Sequence, residues 1–161
     1  MRTIGRTTGR IGILAALAAG ALALPAVPAA ADSGGNLLKA DLVPTTPAFP
    51  PVAGVNAGGR PWVITEGEVR VRRDGSIRVE VEGLVIPVAP FNGTNPVTSL
   101  AASLVCGGRV VSTTGTVPFS PAGDATIRST LAVPATCADP TVLLNPGGNA
   151  AVYIAVTGSE D

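Results

Sequence analysis

The sequence predicts an all-β fold, an antiparallel β-sandwich of Ig-like or Greek-key type with about seven to eight short strands. Three observations predict it. From Trp62 onward apolar and polar residues alternate with a period of two. Turn signals separate the alternating runs, among them Asp74-Gly75, Asn92-Gly93, Gly107-Gly108, Pro121-Ala122-Gly123 and Pro146-Gly147-Gly148. Between those turns no run carries a helical period.

The chain begins with a segment of a different kind, residues 1–31. Arg2, Arg6 and Arg10 precede an apolar run from Ile11 to Leu24, which Pro25 and Pro28 end. Ala29-Ala30-Ala31 then offers the small residues that a signal peptidase reads, with cleavage expected between Ala31 and Asp32. The apolar run is shorter than the roughly twenty residues of a spanning helix, so a secretory signal is expected and no membrane anchor after its removal. The mature protein is therefore expected to be secreted and extracellular.

Residues 32–61 are rich in proline and glycine and weakly periodic, which reads as an extended or disordered arm with a short strand near Leu37 to Val43. The β-sandwich domain is placed at 62–158, with a short tail at 159–161. Within the domain, one strand is expected to begin at Val63–Thr65 and run on through Val69 and Val71, and others over Ile77–Val81, Leu84–Val88, Thr98–Cys106, Val110–Thr113, Ala125–Val133, Val142–Leu144 and Val152–Val156.

One hairpin can be assigned a register. Val69, Val71, Ile77, Val79 and Val81 share one face only if a three-residue loop, Arg73-Asp74-Gly75, pairs Val71 with Ile77. Gly75 then takes the left-handed position of a type I turn with a bulge. The same register sets Arg70 opposite Arg78 and Glu68 opposite Glu80, an unfavourable pairing of like charges.

Charge excludes several partners. The full chain has 11 basic and 11 acidic residues. Removing the first 31 residues takes three arginines and no acid, leaving 8 basic against 11 acidic residues and a net charge of −3. A mildly acidic chain is a poor ligand for nucleic acid or an anionic membrane. Arg70, Arg72, Arg73 and Arg78 form the one local basic run, and Glu66, Glu68, Glu80 and Glu82 interleave with it, as on a solvated strand face.

The chain contains no histidine, which removes triad hydrolysis, a histidine base and histidine-ligated zinc or copper. Glu68 and Glu80 could stand together across the hairpin as glycosidase carboxylates do, but on an outer face where acids keep ordinary acidity. Asp124, Asp139 and Asn145 lack the spacing of a calcium loop. Asn92-Gly93-Thr94 matches a glycosylation sequon and reads as a turn. No catalytic residue, cofactor or metal is expected. Cys106 and Cys137, the only cysteines, are expected to form a structural disulfide in an oxidising compartment. Trp62 and Tyr153 are the only large amphipathic rings and hence the candidate binding aromatics, although two scattered rings are fewer than a glycan-binding face offers and Trp62 reads better as a core or edge anchor.

Two stretches, Ser103-Leu104-Val105-Cys106-Gly107-Gly108 and Ile154-Ala155-Val156-Thr157-Gly158, lie in a region (62–158) that resembles small secreted β-sandwich proteins of high-GC bacteria, a group with no assigned function. The Asp74-Gly75 turn followed by Ile77, Val79, Val81 and Gly83-Leu84 is similar to CHRD-type β domains, but the histidine motif of those domains is absent and no functional residue carries over. The expectation is a non-enzymatic protein with a structural or binding role, toward a protein or glycan at the cell surface or in the medium. Two alternatives are an inhibitor of a secreted protease, acting through Val88–Pro96 or Pro118–Gly123, and an accessory carbohydrate-binding module using Trp62 and Tyr153.

Overall fold

The computed structural model describes residues 35–158. The signal segment 1–31, its cleavage point at Ala31 and Asp32, and the tail 159–161 lie outside the described residues. What is described is all-β and antiparallel apart from one two-residue parallel pair. The strands are β1 (Asn36–Pro44), β2 (Asn56–Ala57), β3 (Glu66–Arg72), β4 (Ser76–Glu82), β5 (Ser99–Cys106), β6 (Arg109–Thr113), β7 (Val117–Pro118), β8 (Ala125–Thr130), β9 (Thr141–Pro146), β10 (Val152–Tyr153) and β11 (Ala155–Thr157).

Two sheets share β1. Its first part pairs with β3, from Leu38 opposite Val71 to Asp41 opposite Glu68. Its last part pairs with β11, from Leu42 opposite Thr157 to Pro44 opposite Ala155. The front sheet is thus β1-β3-β4-β8, and the back sheet is β1-β11-β9-β5-β6 with β7 also on β5. The switch occurs beside Gly67, which is buried. A Cβ there would lie 2.9 Å from Leu42 Cβ and 2.6 Å from the tip of Ile64, so only glycine lets β1 cross so closely. At the opposite edge the Ala132 amide donates to Ser112 Oγ at 3.1 Å, bringing the end of β8 to β6 and curling the sheets toward each other.

The core between the sheets follows from the alternation. Val69, Val71, Ile77, Val79, Val81 and Ile127 face it from the front. Leu100, Ala102, Leu104, Val142, Leu144 and Ala155 face it from the back. Small branched side chains dominate it, so each contributes modestly and the sum depends on close packing. The first hairpin has the expected register, Val71 opposite Ile77 and Val69 opposite Val79, with Gly75 at φ +90°. Cys106 and Cys137 are joined in a disulfide with Cα atoms 4.8 Å apart. The bond ties the end of β5 to the loop before β9, where the Gly107 amide also donates to the Ala138 carbonyl at 2.7 Å.

The arm expected at 32–61 is corrected. Asn36–Pro44 is an interior strand of the assembly, longer than the short strand expected there, and the folded domain begins well before Trp62. Residues 45–61 then cross the outer side of the back sheet. Val55 is buried there with Val105, Leu143, Tyr153 and Val156, and Phe49 and Val52 pack against them. Proline and glycine shape this covering segment, and its long-range contacts hold it in place: the Thr45 amide donates to the Ile154 carbonyl, the Trp62 amide to that of Thr45, and β2 pairs in parallel with β10. The expected strand over Val152–Val156 is interrupted at Ile154, which lies in the main core while Tyr153 and Val156 belong to the covered outer face.

Candidate functional site

The outer faces of the two sheets are unlike. On the back sheet Ala101, Ser103, Val105, Leu143 and Asn145 point outward in the pleat and are nevertheless buried. Beside the apolar patch lies a polar network. Ser103 Oγ donates to Asn145 Oδ1 at 2.7 Å and lies 2.8 Å from Thr113 Oγ1, and Asn145 Nδ2 donates to the Val152 carbonyl at 2.8 Å. Asn145 is wholly buried, whereas Asp139 is exposed in a bend with φ 47°.

The front face is open, and its order is the feature of note. Every outward position of β3 and β4 except Ser76 is charged: Glu66, Glu68, Arg70 and Arg72 on β3, Arg78, Glu80 and Glu82 on β4. The registers set like against like. Lys39 lies opposite Arg70, Arg70 opposite Arg78, and Arg78 opposite Arg128, making a row of four cations across four strands. The next row places Asp41 opposite Glu68 and Glu68 opposite Glu80, and beyond it Glu66 faces Glu82. Strand spacing of about 4.8 Å makes these neighbours close enough to repel. The interleaved charges of the sequence are therefore segregated in space, because β3 and β4 run antiparallel with opposite charge order.

Relief runs along the strands. Arg70 reaches Glu68 of its own strand at 3.4 Å, and Arg78 reaches Glu80 likewise. The hydrogen bond from Arg78 holds the Glu80 carboxyl below the usual carboxylate range, and the charges of Arg78, Arg128 and Arg70 add to this. Arg78 is raised in turn by its bond to Glu80. Away from that seam the face divides into an open acidic hollow of about 660 Å³, lined by Glu66, Glu68, Glu80, Glu82, Asp124 and Thr126, and a basic one of about 310 Å³, lined by Arg70, Arg72, Arg78 and Arg128 with Ser76 and Ser129. Among the described residues no group of three or more acidic or cysteine side chains is placed to hold a metal ion. These exposed charges can attract and orient a charged surface.

The other candidates lie elsewhere. Trp62 is 5% exposed and part of the main core, and Tyr153 is fully buried in the back cluster, its hydroxyl bonded to the Pro50 carbonyl. The two rings are in different cores and form no surface platform: Trp62 is the core anchor expected of it, and the candidate role of the pair as binding aromatics is corrected. The loops Val88–Pro96 and Pro118–Gly123 do meet. Asn95, 5% exposed, donates to the Ser120 carbonyl at 2.9 Å, and its amide donates to the Pro121 carbonyl at 2.8 Å. Both are folded into tight turns: the Phe91 and Asn92 amides bond back to the Val88 carbonyl, and that of Gly123 to Ser120. Asn92 and Gly93 take φ of 47° and 90°, the turn expected at the sequon.

The front face was half legible beforehand, as the Arg70–Arg78 and Glu68–Glu80 oppositions follow from the hairpin. The contributions of Lys39, Asp41 and Arg128 were not, because β1 and β8 join through distant pairings. In comparisons with known proteins, no family model, curated relative or solved structure matches the chain.

Proposed function

We propose that the mature chain is a secreted, non-enzymatic β-sandwich with a structural or binding role at the cell surface or in the medium, and that the front face is its contact surface. One observation carries this reading: like charges stand opposite one another across every strand pair of that face. Each such opposition disfavours the fold by a fraction of about 1 kcal/mol, and exchanging a few residues within a strand would remove it. A partner that brings opposite charges turns that cost into complementarity. The disulfide and the Arg-led apolar segment ending at Ala29-Ala30-Ala31 support export to an oxidising compartment. Among the described residues no helix is long and apolar enough to cross a membrane.

The test compares the mature protein with a neutral-face variant, Glu68→Gln, Arg70→Gln, Arg78→Gln and Glu80→Gln. Both are incubated with cell walls and culture fluid of the producing cells and with immobilised mature protein. The wild type is retained at low salt and released at high salt, while the variant, folded and no less stable, is not retained. Equal retention of both moves the contact surface off this face.

A further inference from the structure

We infer that the partner of the front face is a second copy of this chain, docked face to face about a twofold axis that crosses the strands. The inference rests on the reading of that face as the contact surface. Its basis is a symmetry of the charges. On β3, Glu66 and Glu68 precede Val69, while Arg70 and Arg72 follow it. On β4, Arg78 precedes Val79, while Glu80 and Glu82 follow it. On β1, Lys39 and Asp41 flank Ala40. The centres of these reversals are in register: Ala40 lies opposite Val69, Val69 opposite Val79, and Val79 opposite Ile127. One line across the sheet therefore separates an acidic half from a basic half.

A face whose charge changes sign across a line is complementary to itself when turned over about that line. Rotation about the row Ala40–Val69–Val79–Ile127 sets Arg70 over the partner's Glu68, Arg78 over the partner's Glu80, Arg72 over the partner's Glu66 and Lys39 over the partner's Asp41. Each contact occurs twice, as in any isologous pair. A partner of single sign fares worse. A polyanion laid along Lys39, Arg70, Arg78 and Arg128 has the carboxylates of Glu68 and Glu80 one row away, inside a Debye length of about 8 Å at physiological ionic strength. A polycation in the acidic hollow meets the arginines in the same way.

The size of the face sets the strength. Four strands about 4.8 Å apart and four rows about 7 Å apart give about 500 Å² a side and about 1,000 Å² in all, below a standard stable interface. The charges are exposed and solvated, so the dimer is weak and salt-sensitive.

Sedimentation equilibrium of the mature protein at about 20 mM and about 500 mM salt tests this, with a weakening of at least about tenfold expected at the higher salt. Two variants make the test specific: a mainly acidic face (Arg70→Glu, Arg72→Glu, Arg78→Glu) and a mainly basic face (Glu66→Lys, Glu68→Lys, Glu80→Lys), so that every reversed arginine faces a reversed glutamate in the mixed pair. Each alone is monomeric, and an equimolar mixture of the two forms a heterodimer. Circular dichroism checks that both fold, and single reversals at Arg72 and Glu66, which face each other across the axis, serve if a triple variant does not. A wild type that stays monomeric at low salt overturns the inference, as does a dimer that survives both reversals. A monomeric wild type that binds dextran sulfate or polylysine, with loss of binding in the neutral-face variant, also overturns the second copy while leaving the face as the contact surface.

Discussion

The hydroxyl of Tyr153 donates a 2.7 Å hydrogen bond to the carbonyl oxygen of Pro50, 103 residues earlier. The bond fixes the covering segment 45–61 to the last strands, over the outer side of the back sheet. Tyr153 is fully buried, whereas Pro50 is exposed, so the bond anchors a surface segment to an interior side chain.

Tyr153→Phe removes this bond and costs about 1 kcal/mol, a fall in Tm of several degrees. Burial raises the Tyr153 hydroxyl above its ordinary value of 10.0. The folded state thus holds the proton longer than the unfolded state. The stability from this residue is complete below 10.0 and is lost as pH rises through the folded value. Urea midpoints at about pH 9 and about pH 11 should fall more steeply for the wild type than for the Phe variant. Equal slopes would mean that the hydroxyl is hydrated in the fold.

Asn145 holds a second buried junction, between Ser103 of β5 and the Val152 carbonyl of β10. Asn145→Ala removes both bonds and costs about 2–3 kcal/mol. Asn145→Asp costs more at neutral pH, because a buried carboxylate then faces the Val152 carbonyl. Its urea midpoint should climb toward that of the Ala variant as the pH is lowered. An Asp variant as stable as the wild type at pH 7 would show that this site is open to water.

The Cys106–Cys137 bond closes a segment that contains β6, β7 and β8. In the chain-entropy model a loop of about thirty residues adds roughly 3–4 kcal/mol. The double variant Cys106→Ser, Cys137→Ser should melt well below the wild type, and native protein should take up no thiol reagent before reduction. Full labelling of native protein would refute the pairing.

Asp74 starts the turn of the β3–β4 hairpin, accepting from the Ser76 amide at 2.8 Å and from the Ser76 hydroxyl at 2.7 Å. These bonds, with a smaller contribution from the Arg72 charge, lower its carboxyl from 3.8. Its contribution to stability is present above 3.8 and is lost as pH falls through the lower, folded value. Asp74→Ala should lower Tm at pH 7 by more than at about pH 2, where the wild-type carboxyl is itself neutralised. A difference independent of pH would assign the effect to packing alone.

Much of this architecture was legible before folding. The alternation of Val69, Val71, Ile77, Val79 and Val81 with charged residues states the pleat directly, and the three-residue turn ending at Gly75 sets the register between those strands. The disulfide followed from there being two cysteines. Trp62 and Tyr153 stood as candidates for a surface because an aromatic ring reads alike whether it is to face solvent or a core.

The sequence by itself determined the class of fold, the inward faces of β3, β4, β5 and β8, the register of the first hairpin and the cysteine pair. All of these depend on a strand's own pleat, on a tight turn or on a count. Only the tertiary structure decided that Asn36–Pro44 belongs to both sheets, that 45–61 covers the back sheet, and that Lys39 and Arg128 complete the cationic row. Those outcomes depend on which distant strand lies alongside and on what covers the second face of a sheet. The free energy that settles them comes from long-range pairing and burial, which local periodicity does not encode.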